Sequence, residues 1–410
     1  MTPVTMAPAE IIEPRYYREH GYPHEAWTRL RREAPIARCE TAGFPPFWAV
    51  TKHADIVRIA TDPQRFLNAP LIAIFKLDQA APPESRLRHL LNMDPPEHRE
   101  FRRLAAKNFT PRAVRPRLEV YERLVDEILD SVRDRDEIDW VTDFAALLPI
   151  WVIADMLGIP RQDRELFFRW TNEIIGAADH DFRRAGMTAR QTAEAAIGEQ
   201  RAYFTDMVAA RRRCPMEDIT SVLANAELDG RPLPELELFS YLVLLIVAGN
   251  ETTRNAASGG LLAFVDNPDE WRKLRNDPSL VASAVEEIVR WTTPVIQFAR
   301  TATEDVELRG QRIRAGDHLC LFYPSANRDE DVFEHPFEFR ADRHPNHHLA
   351  FGIGEHLCLG AHLARTELQA IVNRLLARGA LAERCGPVER LHSSFVGGIK
   401  RLPVRLHLQH

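Results

Sequence analysis

The sequence predicts one mixed domain, mostly α with a minor β region. Three observations lead there. Apolar residues recur at helical spacing through a series of long segments. Strand-like alternation is confined to short pieces near the two ends. No internal repeat, low-complexity tract or linker separates two cores in the 410 residues.

In chain order, residues 1–14 read as a flexible N-terminus and 15–410 as the domain. The opening run "MTPVTMAPAEIIEP" has neither the basic start nor the apolar core of a signal peptide. "FWAVTKHADIVRIA" begins as a strand and turns helical, and 78–89 reads as a long mobile loop. Helical spacing then spans 98–109, 114–132, 142–157, 161–176, 188–213 and 235–265, and later 279–291 and 361–378. Between these last two, "DVELRGQRIRAGDHLCLFY" alternates around Gly310 and Gly316 as a hairpin. The longest apolar run, Tyr241 to Gly249, falls well short of the roughly 20 residues that span a bilayer. The expectation is a cytoplasmic protein without a membrane partner.

Composition excludes several functions. With 53 basic against 59 acidic residues the net charge is −6, which offers no case for nucleic acid. The five cysteines are widely spaced with no CxxC pair, so a disulfide framework or a four-thiolate metal site is not expected. "HPNHH" (344–348) is no zinc site, because Pro345 breaks helical spacing and no acidic cluster accompanies it.

"FGIGEHLCLG" stands out. Cys358 sits just before a predicted helix, where unpaired N–H groups and the helix dipole favour a thiolate. Gly352, Gly354 and Gly360 permit a tight turn and the close approach of something flat and large. A single thiolate without a partner cysteine suits an axial ligand to haem iron. The pattern Phe351, Gly352, Gly354, His356, Cys358, Gly360 resembles the haem-binding loop of the cytochrome P-450 monooxygenases.

Other motifs extend the resemblance over roughly 15 to 405. In "LLIVAGNETTRNAASGG", Leu244, Ala248 and Thr252 share one helix face, and Gly249 with Thr252 invites a local distortion. The resemblance places Ala248 and Gly249 against the haem and makes Glu251 and Thr252 the proton-relaying acid–alcohol pair. Glu287 and Arg290 meet on one helix face, a spacing that is usually a surface pair of little worth. In the family it is a buried structural network, joined by an arginine of "FEFRADRHPNHH". Arg343 is the expected member and Arg340 the alternative, at a position where many relatives carry Asp. In "NMDPPEHREFRRL", Asp94, Pro95 and Glu97 form a capping-box pattern, and His98 and Arg102 share a face. The resemblance assigns His98, Arg102, Arg300 and His356 to the haem propionates.

The fold so implied is the cytochrome P-450 fold, with a β region built from N- and C-terminal pieces and haem b (iron protoporphyrin IX) as cofactor. The implied activity is insertion of one oxygen atom from O₂ into a C–H bond. Electrons would come from a ferredoxin with an NAD(P)H-dependent ferredoxin reductase. The basic run 102–117, with Arg102, Arg103, Lys107, Arg112, Arg115 and Arg117 and no acid, is the expected docking surface for it. By analogy the pocket draws on the 71–91 loop, Trp170 to Ala178 and three further stretches. Leu71, Ile72 and Phe75 are its expected lining from the loop, and Leu244, Val247 and Ala248 from the long helix. Val295, Ile296, Phe298 and Phe395 complete it. That lining suits a steroid, a terpenoid or a long or branched aliphatic chain. Two rivals are a peroxide-driven or isomerising haem-thiolate enzyme and a non-catalytic haem-binding sensor. Peroxide users of the family generally lack the Glu251–Thr252 pair.

Overall fold

The computed structural model describes residues 7–77, 88–175 and 179–409. A continuous central helix of 32 residues, Glu235–Asp266, organises it. Around it pack the helices Leu147–Leu157, Arg164–Ile175, Ala189–Arg213, Val281–Thr292 and Ala361–Ala377. By length and composition the central helix could cross a membrane, but most of its apolar stretch is buried inside the protein. It is a core helix whose neighbours supply the apolar surroundings.

Local chemistry explains the surrounding helices. Leu118–Val132 buries Tyr121, Val125, Ile128, Leu129 and Val132, a stripe at three- and four-residue spacing. Ala189–Arg213 opens with a reciprocal capping box between Thr188 and Gln191 and ends in Arg211, Arg212 and Arg213, which suit the dipole. Leu147–Leu157 is apolar on nearly every side and is buried accordingly.

The β component packs against the helices. A five-stranded sheet runs Ile36–Cys39, Phe47–Val50, His318–Phe322, Gln297–Ala302, Phe66–Leu67, with the Phe47–Val50 and His318–Phe322 pair parallel. The C-terminal strands Leu381–Arg384 and Pro403–His407 join Ile138–Asp139 in a separate sheet. The expected hairpin over 305–323 is therefore only partly formed. Val306–Leu308 and Gln311–Ile313 pair as predicted, but His318–Phe322 leaves them for the large sheet, where all but its first residue become buried.

The expected boundary at residue 15 falls late. Ile11 and Ile12 are fully buried, and the Ala7 N–H donates to the Arg38 carbonyl at 2.7 Å. Helices Pro14–His20 and His24–Glu33 follow at once. The expected loop over 78–89 lies, but for its last two residues, outside the described residues.

Candidate functional site

The loop before Ala361–Ala377 turns on two glycines. Gly352 and Gly354 take φ of 70° and 75°, and a Cβ on Gly354 would stand 2.7 Å from the Ala60 carbonyl oxygen. Only glycine fits there. The turn folds Cys358 back so that its N–H donates to the Phe351 carbonyl at 2.8 Å. Cys358 has accessible surface although protein surrounds it densely, so it looks into an internal space and not into bulk solvent. Burial pushes its thiol up, against the pull of the Gly360 N–H and the charges of Arg102 and Arg365. In the protein alone burial wins, so a thiolate here needs a cation, which a bound metal supplies.

Beside the cysteine the structure gathers basic groups. The rings of His98 and His356 lie 4.0 Å apart. Arg102 reaches the Leu357 carbonyl at 2.7 Å, and fully enclosed Arg300 bonds the Ala299 carbonyl at 2.8 Å. His98 Nδ1 and His356 Nε2 are buried with no hydrogen-bond partner. Burial, reinforced by His98, Arg300 and Arg102, drives His356 down to about 2, and burial with Arg102 lowers His98 too.

The nearest carboxylates are committed elsewhere. Asp94 accepts from the backbone N–H groups of Asn68 and Ala69 at 2.8 and 3.1 Å, and Glu355 accepts from Arg99. This corrects the expected capping box. Helix Glu97–Ala106 starts without a side-chain cap, because the Asp94 carboxylate is drawn to the chain at 68–69. Two arginines and two histidines with unpartnered ring nitrogens, beside one cysteine and without a free carboxylate, fit a dianionic, metal-bearing group such as haem.

Across the space runs the central helix. Leu244, Val247, Ala248 and Thr252 are uncovered or half-covered, while most of the helix around them is buried. The Thr252 hydroxyl donates to the Ala248 carbonyl at 2.9 Å, and the helix stays continuous through it. At Gly249 a Cβ would meet Ile153 at 3.3 Å. Close packing on Leu147–Leu157 is a structural reason for this glycine.

Glu251 points another way from Thr252, as successive helical residues do. Its carboxylate is buried, ion-paired with Arg254, and takes a bond from Asn255 Nδ2 at 3.3 Å, while its Oε2 has no partner. Arg254 in turn donates to Asn172 Oδ1 at 2.7 Å, on the helix Arg164–Ile175. No hydrogen bond joins Glu251 to Thr252 among the described residues. Arg254 was legible as the residue three positions on from Glu251, and Asn172 was not.

The expected pocket lining divides. Phe75, Phe298 and Phe395 form an edge-to-face group, with Phe395 5.3 and 5.8 Å from the other two. Val295 is bridged to Val396. Ile72 is half-buried, and its carbonyl accepts from the Ala299 N–H at 2.8 Å. Leu71 leans on the N-terminal core. Ile296 is fully buried in that core with Trp27 and Phe322, and is withdrawn from the lining. Phe298 and Arg300, two apart on one strand, share the other face. Trp170 is buried and donates to Glu199 at 2.6 Å, and residues 176–178 lie outside the described residues.

Behind the site Glu287 and Arg290 are fully buried in a two-pronged pair, both contacts 2.7 Å. Arg343 adds its Nε at 3.1 and 3.0 Å, whereas Arg340 offers Glu287 only its backbone N–H, at 2.9 Å.

The chain matches the family model "Cytochrome P450" over residues 18–383. It is 36% identical to "Cytochrome P450-terp" of a Pseudomonas species, covering 96% of each chain. It is 40% identical to the "Methyl-branched lipid omega-hydroxylase" of Mycobacterium tuberculosis, over 92% of this chain and 90% of that one. A solved Mycobacterium marinum cytochrome P450, in complex with pseudoionone, superposes with a TM-score of 0.89 at 34% identity, over 98% and 99% of the two chains.

Proposed function

The chain belongs to the cytochrome P450 family of haem-dependent oxidoreductases, and on that premise we propose that it hydroxylates a lipophilic small molecule in the cytoplasm. The substrate we favour is a branched aliphatic chain, a terpenoid or a steroid, oxidised with O₂ and two electrons from a ferredoxin system. What carries this reading is the uncovered strip Leu244, Val247, Ala248 and Thr252, an apolar face ending in one hydroxyl on an otherwise buried helix. The relative named for methyl-branched lipids supports the choice of substrate.

Bound haem supplies the oxygen-activating chemistry, and a thiolate ligand favours O–O cleavage by donating electron density. In this reading Cys358 holds the iron, while His98, Arg102, Arg300 and His356 hold the two carboxylates with charge-assisted bonds. Phe75, Phe298, Phe395 and Val295 exclude water and orient the chain to be oxidised. Thr252 presents its hydroxyl to the reaction space. Glu251, with Arg254 and Asn255 holding Oε1, leaves Oε2 to take up a proton from outside the pocket, and its side chain must turn toward Thr252 to deliver it.

The test is a screen of branched-chain lipids, terpenoids and steroids for the spectral change that marks water leaving the iron. Product analysis with a surrogate ferredoxin and reductase follows. Hydroxylated product from at least one class is expected, and no binding across all classes would reject the substrate assignment. Turnover itself excludes a non-catalytic sensor.

Thr252→Ala should keep the spectral change while sending NAD(P)H electrons to peroxide. Glu251→Gln should slow turnover by about 100-fold, the lower range for a lost general acid, with a larger solvent isotope effect. Equal coupling in parent and Thr252→Ala would favour a peroxide-driven enzyme.

The ferredoxin is expected to dock on 102–117. Arg103, Lys107, Arg112, Arg115 and Arg117 are exposed there, and the segment packs against the helix that follows Cys358. Reversing Arg112 or Arg115 to Glu should slow reduction by an acidic ferredoxin at low salt and leave substrate affinity alone. The difference should fade as salt shortens the Debye length below about 10 Å. Rates flat across salt, and unchanged by the reversals, would move the docking surface elsewhere.

A further inference from the structure

Arg365 lies seven residues past Cys358, on Ala361–Ala377, and has no part in the haem carboxylate cradle. Its guanidinium stacks over the ring of Phe351, 4.4 Å from the ring centre. Glu286 holds it there with a two-pronged bond, 2.6 Å to Nε and 2.9 Å to Nη2. The second Glu286 oxygen also contacts His348 Nε2 at 3.0 Å. The Ala350 N–H points at His348 Nδ1, at 3.3 Å, so Nε2 carries the hydrogen and donates to Glu286. The His348 side chain is only 3% exposed, which makes it a rigid brace. Burial opposes the charged carboxylate, yet bonds from His348 and Arg365 hold Glu286 down to about 2. Phe351 in turn takes the Cys358 N–H on its carbonyl.

An ordinary surface ion pair is mobile, screened and worth little. This cation is held along one edge by Glu286, itself braced by His348, and lies on an aromatic face, where it is screened less. Taking up one electron adds one negative charge to the haem–thiolate centre, and a fixed positive charge nearby favours that product. We propose that Arg365 is a positioning residue for the haem–thiolate centre: held onto Phe351 by Glu286, which His348 braces, its charge makes the iron easier to reduce. The proposal rests on Cys358 being the ligand.

The test is the equilibrium reduction potential of the haem-loaded protein, titrated with dithionite and mediators in the absence of ferredoxin. Arg365→Gln should lower the equilibrium constant for reduction about tenfold, about 59 mV for one electron. Arg365→Lys, which keeps the charge, should recover more than half of that. Glu286→Asp keeps every charge but shortens the clamp, and should give a smaller fall of about threefold. It also serves if Arg365→Gln does not load haem. Arg374→Gln, further along the same helix and paired with Asp126, should leave the potential unmoved. A potential unchanged in Arg365→Gln and Glu286→Asp, with the thiolate-type Soret band intact, would overturn this proposal alone. A parent protein lacking that band would instead overturn the Cys358 assignment.

Discussion

Cys358→His is expected to abolish the red-shifted Soret band of the reduced carbon-monoxide complex, while replacement of any other cysteine leaves it in place. The effect should be all-or-none, because the band reports a thiolate on iron and only one cysteine opens into the space beside the basic cradle. Cys39 and Cys320 are buried in the five-stranded sheet, and burial pushes both thiols up. Cys320 points at Gln297 Oε1, 3.1 Å away. Cys214 caps the far end of Ala189–Arg213, and Cys385 lies by the C-terminal sheet. A band that survives in Cys358→His would assign the ligand to one of these. An imidazole at 358 should still hold haem, since the cradle of His98, Arg102, Arg300 and His356 is untouched, so the band and haem content are read separately.

Arg290→Ala should cost about 3–5 kcal/mol of stability, the usual penalty for stripping one partner from a buried ion pair, and with it haem retention. Arg290 is fully buried, and besides Glu287 it donates to the carbonyls of Asn327, Pro336 and Glu338. Its loss strips the Asn327 and Pro336 carbonyls of this donor and the buried Glu287 of its two-pronged partner, leaving Glu287 to Arg343, the Asn346 amide and the Arg340 N–H, while the Glu338 carbonyl keeps Arg343. Arg290→Lys should rescue little, because an ammonium cannot span a carboxylate and three carbonyls in one plane. Arg340→Ala should fall within about 0.5 kcal/mol of the parent, as surface changes do, since the contact it makes with Glu287 uses its backbone. Denaturant midpoints and haem content of these variants decide it. A large loss in Arg340→Ala with a small one in Arg343→Ala would reverse the roles drawn from the geometry.

Much of this protein was legible from residue order alone, and the legible part is of one kind. Helical spacing marked the long segments to within a few residues, including 188–213 and 235–265, because periodic burial is a local property of a chain. The glycine-rich turn before Cys358 and the pair Glu287–Arg290 were readable for the same reason: each is complete within ten residues. What tertiary structure alone decided joins residues far apart. Arg254 finds Asn172 across 82 positions, Glu286 clamps Arg365 across 79, and Asp94 abandons its own helix for Asn68. The choice of Arg343 over Arg340, the turning of Ile296 into the N-terminal core, and the departure of His318–Phe322 from its hairpin belong with these. Each depends on which faces two distant elements present to one another. Short-range spacing carries no information about that, and packing settles it only once the whole chain has collapsed around the central helix.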